Sequence, residues 1–292
     1  MGVVILVTTA GKVGSEAARL LASSGQGTRL FVRGRNAHAN AEQHGVQLHE
    51  GDLDDSSSIT AAVEGVATII LVTSPSLEQE TAIIAAAAAA GVGHIVKITA
   101  DSSAGSPIAR RRDHWAIEQA LIGSTVHYTL LRANAYMQNF LALAPSIASG
   151  SRFSSPAGDG RIGMVDARDV AAVAAAVAVE PGSHADRTYR LSGPESLSYD
   201  DVAEALTALL GRRVIHDRIT IAEQEAALLR LGLPAAVAQA NAQALGLFAK
   251  GDSDWVSNDV QQILQRPATT FAEFASAHLA AFTTSRGDEA GK

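Results

Sequence analysis

Thr8-Thr9-Ala10-Gly11-Lys12-Val13-Gly14 stand between an apolar run, Val3 to Val7, and a helical pattern from Ser15 to Ala22. Small residues at such a junction let backbone N–H groups and a helix N-terminus approach a pyrophosphate, whose negative charge the helix dipole stabilises. The spacing is that of G-x-x-G-x-x-G with Thr8 in the first place. Gly11 and Gly14 therefore remain for close backbone approach, while the first turn is made by a residue that carries a Cβ. Thr8, Thr9, Gly11, Lys12, Val13 and Gly14 are the candidate phosphate-binding residues. Lys12 either adds positive charge at the phosphates or is an exposed first-turn residue.

In dinucleotide-binding units an acid about 20 positions beyond the glycines takes the ribose hydroxyls. Here no Asp or Glu occurs between Glu16 and Glu42, and the second apolar run leads into Arg33-Gly34-Arg35. Arg33 in that place can meet a 2′-phosphate with a charge-assisted bond, which favours NADP(H) over NAD(H). The alternative is that Arg33 and Arg35 are solvated loop charges. Asp52 and Leu53, after the third run, border the adenine or form a helix-entry turn. Thr73, Ser74 and Pro75, after the fourth, line the path to the nicotinamide or simply end a strand.

The elements that must position these residues follow from an alternation of short β-branched runs with Ala-rich helical stretches, which implies parallel strands joined by helical crossovers. Strands are predicted near Val3–Val7, Arg29–Val32, Val46–His49, Thr68–Val72, His94–Thr99 and Tyr128–Arg132. Helices are predicted at about Val13–Ser23, Ala37–His44, Ser57–Glu64, Leu77–Ala90 and Ala109–Ile122. The expected class is α/β: a Rossmann-type, doubly wound parallel sheet with a smaller, mainly helical C-terminal lobe. Residues 1–133 form the nucleotide-binding domain, with about 160–187 returning to it. Residues 134–159 and 188–284 form the substrate lobe, with helices at Tyr136–Ala148 and Thr270–Phe282 among others, and 285–292 a disordered tail.

The 292 residues are 47% hydrophobic with a formal charge of −7, which argues against a nucleic-acid or anionic-membrane surface. The absence of cysteine excludes disulfides, thiolate metal sites and cysteine nucleophiles. No His/Asp/Glu cluster shows metal spacing. The expectation is a soluble cytoplasmic protein, monomer or homodimer, acting on a small molecule.

Several segments together resemble the NmrA-like group of atypical short-chain dehydrogenases/reductases. They are Gly11-Lys12-Val13-Gly14, Val32-Arg33, Gly51-Asp52-Leu53-Asp54, His94-Ile95-Val96-Lys97, His114 with Glu118, Tyr128 to Arg132 into Asn134 and Met137-Gln138-Asn139, Asp166 to Val170, and Ser192 to Tyr199. The resemblance covers nearly the whole chain. It implies a Rossmann-type domain, NADP(H) in many members, and a substrate cleft under the C-terminal lobe. Members include quinone and triphenylmethane reductases as well as non-enzymatic proteins that sense the nicotinamide pool.

The Tyr-x-x-x-Lys pair of typical short-chain dehydrogenases is missing. Counting back from Glu118, the lysine position is His114 and the tyrosine position is Arg110, all on one helical face. His114 can donate a hydrogen bond or a proton near neutral pH, or it makes only a structural bond with Glu118. Lys97 is a second catalytic candidate, either near the nicotinamide ribose or as a paired strand residue. Thr99 follows it toward the nicotinamide end. Asn134, Tyr136, Met137 and Asn139 suit a planar acceptor with carbonyls, although Tyr136 and Met137 are equally at home in a core. The expected function is NADPH-dependent reduction of a quinone-like or other conjugated acceptor, the alternative a non-enzymatic NADP(H)-responsive regulator.

Overall fold

A computed structural model describes residues 3–74 and 76–283, so Pro75 and the expected tail, 285–292, lie outside the described residues. Strands β1 (Val4–Val7), β2 (Gly27–Val32), β3 (Val46–Glu50), β4 (Thr68–Leu71), β5 (His94–Ala100) and β6 (His127–Ala133) alternate with α1 (Lys12–Ser23), α2 (Ala39–Gln43), α3 (Ser56–Val63), α4 (Leu77–Ala89) and α5 (Ala109–Ile122). A 3-10 segment, Met137–Ala142, leads into α6 (Ala144–Gly150) and β7 (Arg152–Ser155). There follow α7 (Ala167–Val179), β8 (Arg187–Leu191), α8 (Tyr199–Leu210), β9 (Ile215–Arg218), α9 (Ile221–Arg230), α10 (Ala235–Phe248), α11 (Asp259–Leu264), α12 (Phe271–Ala277) and α13 (Leu279–Thr283).

Seven strands form one sheet in the order β3-β2-β1-β4-β5-β6-β8, with every pairing parallel. Side chains alternate across such a sheet, so each strand feeds two cores. On one face Leu6, Ile69, Leu71, Ile95 and Leu130 pack with Ile59, Ile83, Ile84, Ile117 and Leu121 from α3, α4 and α5. On the other lies α7, whose Val170, Val173, Ala174 and Val177 are fully buried. The strand order reverses between β1 and β4, the point at which open α/β sheets bind ligands beyond the strands' carboxyl ends.

The chain divides into two compact units. The first holds the described residues of Met1–Ala133 with Ala167–Leu191 and Asp259–Arg266; the second holds Asn134–Asp166, Ser192–Asn258 and the described residues of Pro267–Lys292. Two segments expected in the helical lobe thus belong with the sheet. β8 is an edge strand, largely exposed up to Leu191, so it lacks the apolar run that marks the inner strands. α11 is tied in at both ends: Asp259 Oδ2 accepts from the Arg190 N–H of β8 at 2.7 Å, and Arg266 lies 2.7 Å from the buried Asp169 of α7. Conversely, residues 160–166 fall in the second unit.

That second unit is built around Met137, Phe140, Ile147, Phe153, Tyr199, Leu206, Phe271 and Phe274. The helix expected over Tyr136–Ala148 is instead a 3-10 segment and a fresh α-helix, because Pro145 fits only the first turn of α6 and cannot continue a helix from before it. Arg152–Ser155, inside a Gly/Ser/Pro-rich passage, pairs in parallel with β9. The helix expected over Thr270–Phe282 breaks at His278. Among the described residues no helix is long and apolar enough to cross a membrane.

Candidate functional site

The loop after β1 sits at the reversal of strand order. Thr8, in the place of the first glycine, uses its hydroxyl to join the two diverging strands: Oγ1 donates to the Val72 carbonyl at 2.9 Å and accepts from the Val72 N–H at 2.9 Å. Thr9 donates to the same carbonyl at 2.7 Å. Neither threonine has a positive φ, so a Cβ costs nothing there and the hydroxyl gains a bridge across the switch point. Gly14 is different. A Cβ on it would stand 1.9 Å from the Thr9 carbonyl oxygen, whereas one on Gly11 would meet only Thr9 Oγ1, at 3.8 Å.

Helix α1 begins at Lys12 with Gly11 as N-cap, no side-chain cap and no acid in its first turn. Its leading N–H groups are therefore left to whatever ligand the loop receives, and the dipole there favours an anion. Val13 is buried under the turn and Lys12 is exposed. Beyond β2 the two arginines part company. Arg35 bonds to Glu42 at 2.7 Å and to the Leu48 carbonyl at 2.9 Å. Arg33 is exposed and makes no hydrogen bond or ion pair among the described residues, so it is the cation left for a ligand.

Around the third and fourth strand ends the picture is mixed. Asp52 is exposed, its Oδ1 accepting from the Asp54 N–H at 3.1 Å, but Leu53 packs in the apolar core and does not face a ligand. Ser74 is exposed. Thr73 turns its hydroxyl onto Glu80 Oε1, at 2.6 Å. Glu80, a residue that sequence reasoning missed, is the partner of Lys97: Nζ lies 2.8 Å from Oε2 and 3.1 Å from Oε1, both side chains are fully buried, and Nζ also donates to the Ile98 carbonyl. Lys97 is thus the paired strand residue and presents no ammonium to a ligand. Thr99, likewise buried, donates to Glu118 Oε1 at 2.9 Å, so its hydroxyl is spent on the protein.

Helix α5 carries His114. Among the described residues its buried Nδ1 has no hydrogen-bond partner, and neither has Ser102 Oγ after β5. Buried polar atoms left unpaired cost about 1–3 kcal/mol each, which a polar ligand atom would recover. The alternative, a bond to Glu118, is absent among the described residues, where Arg132 and Thr99 hold that carboxylate. Burial, then the charges of Lys97 and Arg110, pull the His114 pKa down to about 3. The ring is therefore neutral through the physiological range, a hydrogen-bond donor rather than the proton source its residue type suggested.

His94 is also held down, to about 4, by burial and then by the neighbouring His127. Both rings resist protonation in the fold but accept it when unfolded, so the unfolded state binds more protons below the ordinary value of 6.5. Thermal melts should show full stability from these groups above about pH 6.5, with Tm falling as pH drops toward 4. His94→Gln should flatten that fall.

In the second unit, Asn134 is consumed structurally. Its amide donates to the Ser253 carbonyl at 3.1 Å and the Trp255 carbonyl at 3.3 Å, and its Oδ1 accepts from the Ala135 N–H at 2.8 Å. Met137 is a core residue. Neither is free for a substrate. Tyr136 is half-buried, burial raising its pKa, and Asn139 is exposed. This unit also contains a Ser-His-Asp chain: Ser155 Oγ is 3.0 Å from His216 Nε2, and Nδ1 is 2.8 Å from Asp200 Oδ1. That spacing serves nucleophilic enzymes. Here Ser155 is 1% exposed and Phe153 stacks on the imidazole, so the chain ties β7, β9 and α8 together and offers no accessible nucleophile.

The chain is 34% identical over 286 residues to an NAD(P)H azoreductase of Xenophilus azovorans, covering 96% of this chain and 99% of that one. It is similar to the crystal structure of an NADPH-dependent quinone oxidoreductase of Escherichia coli complexed with NADPH, with a TM-score of 0.84, 30% identity and coverage of 94% and 99%. NmrA, a negative transcriptional regulator solved with NADP, shares the fold at a TM-score of 0.79 and 18% identity, over 99% and 98% of the two chains. The NmrA-like family model matches residues 2–275, and the chain belongs to the NmrA-like family.

Proposed function

We propose that this protein is an NADPH-dependent oxidoreductase that passes hydride to a quinone-like or other conjugated acceptor. The observation that carries the reading is the first unit's anion cradle: α1, without a side-chain cap and with Gly14 in its first turn, at the reversal of strand order, and beyond β2 Arg33, unpaired among the described residues. The first turn of α1, with Lys12, would hold the pyrophosphate, and Arg33 would take the 2′-phosphate. Bound NADPH supplies the hydride. Ser74 lines its path, and His114, neutral, donates a hydrogen bond to the acceptor oxygen as negative charge develops there. Solvent then supplies the proton, which a quinone accepts without a dedicated acid. The enzymatic relatives are 34% and 30% identical to this chain, against 18% for the NmrA regulator, which favours turnover over sensing. A cytoplasmic location, a small-molecule acceptor, and a monomer or homodimer without nucleic acid belong to the same reading.

The test is NADPH oxidation with a panel of quinones and azo compounds. Turnover is expected, and His114→Ala should lower kcat by roughly tenfold or more. Tight nucleotide binding with no turnover of any acceptor would return the protein to the regulatory reading. For the cofactor, Arg33→Ala should weaken NADPH by about 1.5–3 kcal/mol and leave NADH almost unchanged. Titrations with both nucleotides measure this, and an unaltered affinity ratio removes Arg33 from the site.

A further inference from the structure

Strand β5 meets two buried carboxylates at alternate positions on one face. Ile95 on that face joins the apolar core, Lys97 pairs with Glu80 of α4, and Thr99 reaches Glu118 of α5. Glu118 is fully buried and is gripped from two strands. Thr99 of β5 donates to Oε1 at 2.9 Å, while Arg132 of β6 donates through Nε to Oε1 at 3.2 Å and through Nη2 to Oε2 at 2.5 Å. The other buried contacts of α5, Ile117 and Leu121, are apolar and set no direction. A forked guanidinium on a carboxylate does. His114 lies one turn earlier on the same face. Among the described residues its ring has no hydrogen bond of its own, so its place is inherited from the helix.

We infer that Glu118 is a positioning residue, whose clamp by Thr99 and Arg132 fixes the rotation of α5 and so places His114 at the carboxyl-terminal edge of the sheet. The inference rests on the role given to His114 in the proposed function. Glu118→Gln keeps the shape but sets an amide N–H₂ or a weakened acceptor against Arg132, which loosens the clamp.

A double-mutant cycle over His114→Ala and Glu118→Gln, read as kcat, acceptor KM, NADPH Kd and Tm, tests it. Glu118→Gln should lower kcat roughly tenfold, with Kd and KM changed by less than about twofold. In the His114→Ala background the same substitution should change kcat by less than about twofold. An equal fold loss in both backgrounds, or an unchanged kcat in folded Glu118→Gln protein, overturns the clamp. His114→Ala indistinguishable from the natural protein instead overturns the role of His114, and the inference with it. If Glu118→Gln does not fold, Thr99→Val removes a single bond of the clamp and carries the same cycle.

Discussion

Gly14→Ala should abolish useful nucleotide binding, raising the Kd for NADPH by roughly a hundredfold or more, about 2.7 kcal/mol, while Gly11→Ala stays within about fivefold. Both substitutions add one methyl group to the same loop, so composition cannot separate them. Space does. At Gly14 the methyl collides with the Thr9 carbonyl oxygen, a backbone atom that cannot rotate away, and Val7 stands behind it. The strain is relieved only by lifting α1 from the loop, which moves its first N–H groups away from the phosphates. At Gly11, whose φ is −74°, the added atom meets nothing closer than ordinary contact. Fluorescence titration with NADPH measures both, and equal losses would show that the close approach at Gly14 is unrelated to binding.

Lys97→Met should cost about 3–5 kcal/mol of stability, because it leaves the Glu80 carboxylate fully buried without its counter-charge. The double variant Lys97→Met with Glu80→Leu should recover most of that loss, since a buried ion pair replaced by apolar groups of similar volume is often neutral. Thr73 then loses its carboxylate partner but keeps the Ser74 carbonyl, at 3.0 Å. Urea unfolding decides the matter. A double variant as unstable as the single one would mean that the pair, rather than the orphaned charge, supplies the stability.

The sheet was legible because its inner strands are buried on both faces and read as apolar runs, and because two of the crossover helices carry side-chain N-caps, Asp55 ahead of α3 and Ser76 ahead of α4. The turn between β1 and α1 was legible too, including the oddity of Thr8, though not the bridge to Val72 that explains it. Side-chain roles were harder to read. Lys97 in the middle of an apolar strand demanded a buried counter-charge, and Glu80, the acid that shares a helical face with Ile83, Ile84 and Ala87, was available as a signal. Asn134 gave no such warning. Its partner Ser253 lies 119 residues away, and no local pattern says that an amide is already satisfied. β8 escaped because an edge strand needs little apolar sequence, and α11 because its anchors, Arg190 and Asp169, precede it by most of a domain.

The threading of the first unit also bears on how the protein is made. The chain passes between units at Ala133–Asn134, Asp166–Ala167, Leu191–Ser192, Asn258–Asp259 and Arg266–Pro267. On the ribosome, the first six strands emerge without α7 to cover one face of the sheet, and β6 waits for β8 to cover its edge. An isolated nucleotide-binding fragment ending at Ala133 would expose the same apolar face permanently. Expression of that fragment should therefore give aggregated material, since both surfaces are covered only by α7 and β8, which end at Leu191.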